Sequence, residues 1–307
     1  GITSVSDITL PEDIDVYIEL WKRDKLKLRI NSYIPFTEFE NLQSYRDKTS
    51  LISTDYSTVC GFKAFWDGAL GSETALFSGN YKGSSSNGLK TEIVRSGRIY
   101  ELAKQIDSAG MQMIIHAIGD KAVNEVIELY ADLPNTKKLR HRIEHAQHIQ
   151  PDDYKNFGNN GILASVQPIH LKYDARTVFE KLRAKLIPNT HNYVHIIPFG
   201  GILNFGTDFP IVEADPFENI RLAITRITDD GEFTPEHKIP LHECLKAYTV
   251  NNAYSNHNED AVGSISKGKV ADFVIMNDDL FGMDEQNIGN AKVHKTYISG
   301  VEVNSMI

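Results

Sequence analysis

Between residues 111 and 147 the chain runs from a short apolar stretch through an amphipathic segment into a second short stretch, and each short stretch carries a histidine near its end. The first, MQMIIHAI, is too short for a buried helix and suits a buried strand; it contains His116. Residues 120–132 place Ala122, Val123, Val126, Ile127 and Tyr130 on one side at helical spacing. The second, RHRIEHAQ, reads as the next strand and contains His145. About 30 residues per repeat is the length of a βαβ unit. Strands joined in this way run parallel, so His116 and His145 are expected side by side at C-terminal strand ends, where an α/β barrel does its chemistry. Two imidazoles converging there suit a metal ion. A lone strand histidine is more commonly a hydrogen-bonded core residue, so the rest of the chain has to decide.

The same alternation extends in both directions. Strand patterns fall near residues 1–8, 28–36, 59–67, 111–118, 140–147, 162–168 and 201–206. Helical patterns fall at 11–25, 92–109, 120–132, 151–159, 218–228 and 241–254, with a polar stretch at 37–50 and helical pieces within 171–198. Residues 68–88 are rich in Gly and Ser and too long for an ordinary connector, the mark of a functional or disordered loop. From Val262 the pattern changes to short strands separated by turn residues. The expected division is therefore a (β/α) barrel domain over 1–261 and a small β unit over 262–307. Seven strands precede Val262, whereas a TIM-type barrel has eight. Because the last strand is followed by its helices and then by the β unit, the missing strand is expected to be the first.

A chain of 307 residues can bury a large core. Its net charge of −9 and scattered basic residues argue against nucleic acid and anionic membranes as partners and favour a small-molecule substrate. No apolar run reaches the ~18 residues of a membrane span. Cys60 and Cys244 form no CxxC, which excludes a zinc knuckle and fits a reduced, cytoplasmic setting. The sequence leaves the oligomeric state open, a homo-oligomer included.

Four strand ends carry polar groups in order: Lys63, His116, His145 and Asp208. Zinc and similar divalent metals take imidazole nitrogen and carboxylate oxygen. A buried lysine whose pKa is lowered by desolvation can also form a carbamate with CO₂, which supplies two oxygens. The competing readings are a Lys63 that snorkels or pairs with Asp67, and an Asp208 that serves as a turn or N-cap residue in TDFP. Asp67, Asp120, Arg142, Glu144, Gln167 and His170 are candidates for ligand orientation or pocket lining, with salt bridges and strand-end caps as the alternatives. His141 and His148 are expected to face solvent or helices, and His191, His195, His237, His242, His257 and His294 have no metal role.

The stretches GFKAFWDGALGSETA, IIHAIGDKAV, RHRIEHAQ, SVQP followed by His170, GTDFP, AYTVNNA and GSISKGKVADFVI resemble the YtcJ-like branch of the amidohydrolase superfamily. This is the amidohydrolase-3 group, which includes N-substituted formamide deformylase. The motifs occur in the family's order from Gly61 onwards. The resemblance implies a metal-dependent hydrolase barrel with a small β-sandwich built from both chain ends. It implies His116, His145 and Asp208 as metal ligands, Lys63 as the strand lysine that is carboxylated in many members, and Asp208 as the general base. One or two zinc ions would activate water to cleave a carbon–nitrogen bond other than a peptide bond, in an amide or a formamide.

One departure is substantial. The family's first strand carries an HxH pair of ligands, and this sequence contains no HxH. The chain opens at residues matching the second strand, so a barrel truncated at its N-terminus with a partial β-sandwich is expected. The alternative function is a non-catalytic fragment with an incomplete metal site. A phosphate-binding barrel is a weaker third reading, resting only on the thin glycine pattern at 199–206.

Overall fold

Seven parallel strands follow one another in space in the order of the sequence: β1 Ser4–Ile8, β2 Arg29–Pro35, β3 Ser57–Phe65, β4 Gln112–Ala117, β5 Arg142–His145, β6 Leu163–Val166 and β7 Ile202–Phe205. They form a curled, open segment of a (β/α) barrel in a computed structural model that describes residues 1–303. Every strand pattern read before Val262 becomes one of these strands. β4 is buried at all six positions, as expected of a parallel strand covered on both faces. Helices cover its outer side. In the helix Asp120–Ala131, Ala122, Val123, Val126, Ile127 and Tyr130 are buried, and the Tyr130 hydroxyl donates to the carbonyls of Met113 (3.3 Å) and Arg142 (2.9 Å). The helix is thereby fastened to both strands that it joins.

Several helical expectations are corrected in detail. The pattern over 92–109 is two helices, Glu92–Arg95 and Arg98–Ser108, because Gly97 adopts φ +77° between them. The pattern over 241–254 breaks at Thr249, between Leu241–Tyr248 and Val250–Ser255. The helix expected over 218–228 is Pro216–Thr225, and its last residues enter a small hairpin, β8 Ile227–Thr228 with β9 Gly231–Glu232. Among the described residues no helix is long and apolar enough to cross a membrane.

The outer strands of the sheet, β1 and β7, do not pair with each other. Gly206 turns its N–H to Val166 of β6, at 3.2 Å, so alternation turns the Leu203 and Phe205 carbonyls to the free edge. There they accept the side-chain amides of Asn251 (2.9 Å) and Asn252 (3.0 Å). A few residues on, Asn256 accepts from Ser6 and Tyr33, both at 2.9 Å, and Asn258 donates to Asn31 at 3.0 Å. Residues 251–258 therefore strap β7 to β1 and β2 without a strand. This part of the gap between them holds the chain's own asparagines.

Beyond the strap, β10 Phe273–Met276, β11 Val293–Ile298 and β12 Val301–Val303 form an antiparallel sheet. Of the short strands expected after Val262, none falls within 263–269, and residue 304 lies outside the described residues. A buried fork joins this sheet to the barrel, with Arg29 donating to both oxygens of Asp272 at 2.7 and 3.0 Å.

Candidate metal centre

The register that pairs Ala117 with His145 sets two imidazoles side by side, with ring centroids 4.4 Å apart and planes at 69°. Both are buried. His116 Nε2 lies 3.1 Å from the Gly68 carbonyl oxygen and 3.5 Å from Asp67 Oδ1. Nδ1 of His145 is buried without a hydrogen-bond partner among the described residues. Burial, and then the Lys63 charge, push His116 down to about 3. Burial, followed by the His116 and Lys63 charges, holds His145 well below the ordinary histidine range. Both rings are thus neutral at pH 7, the form that binds metals.

Asp67 organises the approach to this pair. Its carboxylate accepts the N–H groups of Leu76 (2.7 Å), Ile118 (3.0 Å) and Gly119 (2.9 Å). It therefore ties the Gly- and Ser-rich loop to the exit of β4. Burial nonetheless pushes it up to about 7. The loop itself is ordered, because Leu70, Ala75, Phe77 and Tyr81 share a second core with Ile118, Leu171, Ala175, Val178, Leu182, Leu186 and Phe233. Asp120 adds a second tie, accepting from the Ser78 N–H at 2.7 Å and hydroxyl at 2.6 Å.

Lys63 is buried on β3, with Nζ 4.7 Å from the centre of the Phe65 ring. Burial brings it down to about 8, against the pull of Glu144 and Asp208. It makes no ion pair with Asp67 among the described residues; its neighbours are the other charges of the mouth. Glu144 accepts from Arg142 Nε at 3.0 Å, and Arg142 also reaches Ser255 Oγ at 3.1 Å. That pair braces the barrel interior beneath the histidines. Asp208 is half-buried in the left-handed region (φ +64°), and burial raises it to about 6. Gln167 donates to the Ser165 carbonyl at 3.3 Å. His170 Nε2 lies 3.2 Å from the Thr207 carbonyl, and its ring stacks near His145 at 6.0 Å and 28°.

Two histidines expected to face solvent or helices are fully buried. His141 contacts Asp107 of the helix Arg98–Ser108 through Nε2 at 3.2 Å, and His148 Nδ1 lies 3.0 Å from the Ile118 carbonyl. Sequence reasoning passed over Phe65, whose ring lies 5.2 Å from His116, and Gln147, Asp174 and His191, which brace the exit of β5. The period-2 pattern of β3 places Phe65 on the Lys63 face and could have found it. No pattern links the other three.

The residues fit a divalent metal in part. The orphaned Nδ1 of His145 and the neutral ring beside it are two imidazole donors of the right chemistry. Among the described residues, however, no group of three or more His, Cys, Asp or Glu side chains is arranged to hold a metal ion.

A parallel barrel segment with paired neutral imidazoles at its C-terminal mouth has the architecture of metal-dependent hydrolases. The match is specific: residues 1–304 fit the model of the amidohydrolase family, and the chain belongs to that family, in its YtcJ-like group. It is 31% identical over 296 residues to Protein LONG AFTER FAR-RED 3 of Arabidopsis thaliana, covering 94% of this chain and 50% of that one. It is 28% identical over 255 residues to the putative amidohydrolase YtcJ of Bacillus subtilis (strain 168), covering 81% of this chain and 48% of that one. Among solved structures, an uncharacterized metal-dependent hydrolase from Pyrococcus horikoshii OT3 superposes with a TM-score of 0.76 at 26% identity, covering 88% of this chain and 55% of that one. The chain spans about half the length of the curated relatives it matches.

Proposed function

We propose that this chain carries part of the active site of a metal-dependent hydrolase that cleaves a carbon–nitrogen bond in a small amide or formamide-like molecule. The observation that carries this reading is the His116–His145 pair: two buried, neutral imidazoles in contact, one with a ring nitrogen that has no hydrogen-bond partner among the described residues. His116 and His145 would hold the metal, most simply zinc, with Asp208 and a carbamate on Lys63 as the further donors. The chemistry a bound ion supplies is a water made acidic near neutral pH and a polarised carbonyl.

The protein's own groups would do the rest. Asp208, raised to about 6, accepts the proton of the attacking water on its carboxylate and returns it to the leaving nitrogen. Lys63, lowered to about 8 by burial, carries a larger fraction of free amine near neutral pH than an ordinary lysine, which carbamate formation needs. The carbon–nitrogen specificity is supported by the resemblance to a group that includes N-substituted formamide deformylase.

Equilibrium dialysis against Zn(II), followed by amine release from a panel of N-alkylformamides and acetamides, tests this reading. The expected result is zinc retained by the wild-type chain and lost in His116→Ala/His145→Ala, with amine released only by the loaded protein. A second reading, a barrel that is not catalytic by itself, is favoured by one observation: no third donor joins the pair among the described residues. Equal zinc retention by wild type and double variant would favour that second reading.

A further inference from the structure

His145 and Ala146 occupy left-handed backbone, at φ +73° and +42°, a region that few non-glycine residues adopt and that two in succession adopt only when neighbours hold them there. Something must hold that turn, because the direction of the His145 ring depends on it. The following residues are fastened on several sides. Gln147 Nε2 donates to Asp174 Oδ2 at 2.6 Å, and the Gln147 carbonyl accepts the His191 N–H at 2.6 Å. His191 Nε2 in turn lies 3.2 Å from the same Asp174 oxygen. The Ile149 N–H and carbonyl are both met by the Asn192 side chain, at 3.1 and 2.7 Å.

Asp174 sits in the first turn of the helix Leu171–Lys181, four residues after His170. Residues four apart lie on one helical face. The face that accepts Gln147 therefore also presents the ring stacked near His145.

We propose that Asp174 is a positioning residue for His145: with His170 it forms a two-point clamp that imposes the left-handed exit of β5 and aims the His145 imidazole at His116. Asp174 touches neither imidazole of the pair and acts through Gln147. The clamp rests on the metal-centre reading only for what His145 binds, not for the geometry itself.

The test uses the full chain with ¹⁵N-labelled histidine. Ring resonances of His145 are followed in wild type, Asp174→Ala, Asp174→Asn and Gln147→Met, alongside melting temperature. Asp174→Ala should move the His145 ring signals while leaving those of His141 and His257, at the other end of the barrel, in place. Gln147→Met should reproduce the shift by breaking the link from the other side. Asp174→Asn keeps an amide oxygen for Gln147 and should restore most of the wild-type spectrum. Zn(II) affinity should fall about 10–100-fold in Asp174→Ala. Unmoved His145 signals in both Asp174→Ala and Gln147→Met would overturn the clamp. A wild-type chain that binds no zinc would overturn the metal reading alone, since the ring signals need no metal.

Discussion

Asp67 and Leu76 meet across the mouth of the barrel, the carboxylate of one accepting the backbone N–H of the other at 2.7 Å. The same carboxylate holds the Ile118 and Gly119 N–H groups. One side chain thus joins the β3 exit, the loop that covers it and the strand end bearing His116.

Removing that side chain should be expensive. Asp67→Ala strands three donors, each costing about 1–3 kcal/mol when buried unpaired. The expected result is a loss of at least ~3 kcal/mol in urea unfolding, with Asp67→Asn intermediate because one amide oxygen remains. A midpoint unchanged in Asp67→Ala would show that the three donors find water.

Gly119 is needed for its lack of a side chain. A Cβ there would stand 2.1 Å from the Leu76 carbonyl oxygen, which belongs to backbone and cannot swing away. Gly119→Ala should push the loop off β4, cost about 1–3 kcal/mol and open residues 68–91 to proteolysis. An uncut loop in that variant would contradict the packing.

His148 should make stability depend on acid. Its Nδ1 is matched to the Ile118 carbonyl, while Nε2 is buried without a partner among the described residues. Burial, then His191, lowers it from 6.5 to about 4. Between those values the unfolded chain binds the proton and the folded chain does not. The contribution of this residue is therefore complete above pH 6.5 and lost as pH falls towards 4. Relative to His148→Asn, wild type should lose on the order of 3 kcal/mol between pH 7 and pH 4. Parallel stability curves for the two proteins would place the acid sensitivity elsewhere.

Asn252→Ala should expose the Phe205 carbonyl on the free edge of β7. A net loss of about 1 kcal/mol is expected, with more self-association because unpaired strand edges recruit other strands. Light scattering alongside urea titration would read both effects, and a monomeric variant of full stability would count against the strap.

Asp208→Asn, in protein shown to be active, should lower turnover by about 10²–10⁴-fold with zinc content largely kept. In wild type the rate should rise with pH through the region near 6, as the carboxyl loses its proton. Retained turnover in the variant would assign the proton transfer to another group.

Much of the fold was legible because it obeys simple periods. β4 is a short, mostly apolar run, β1 and β2 interleave polar and apolar residues, and helix Asp120–Ala131 shows its buried face at 3.6-residue spacing. The His116–His145 approach followed from parallel register alone. What stayed hidden depends on contacts without a period. Gly97 reads as one glycine among many until its backbone turns left-handed. The Gly- and Ser-rich stretch over 68–88 reads only as a functional or disordered loop, yet Phe77 and Tyr81 bury themselves against a helix about a hundred residues on. Asn251 and Asn252 fall inside the helical pattern over 241–254, and only a free strand edge shows what their amides are for. The Asp174–Gln147 contact belongs to the same class, since neither residue carries a local signal.

The sequential order of the sheet also bears on how the chain reaches its native state. Each strand can dock on its predecessor as it forms, so most pairings close short loops and cost little chain entropy. The strap is the opposite: Asn256 meets Tyr33 and Ser6 across 223 and 250 residues of chain. Such contacts are rewarded only after the strands are in place, and they should be absent from the folding transition state. Substitutions at Asn256 or Asn258 are then expected to speed unfolding while leaving the folding rate nearly unchanged, making these asparagines a latch on the lifetime of the barrel rather than a guide to its formation.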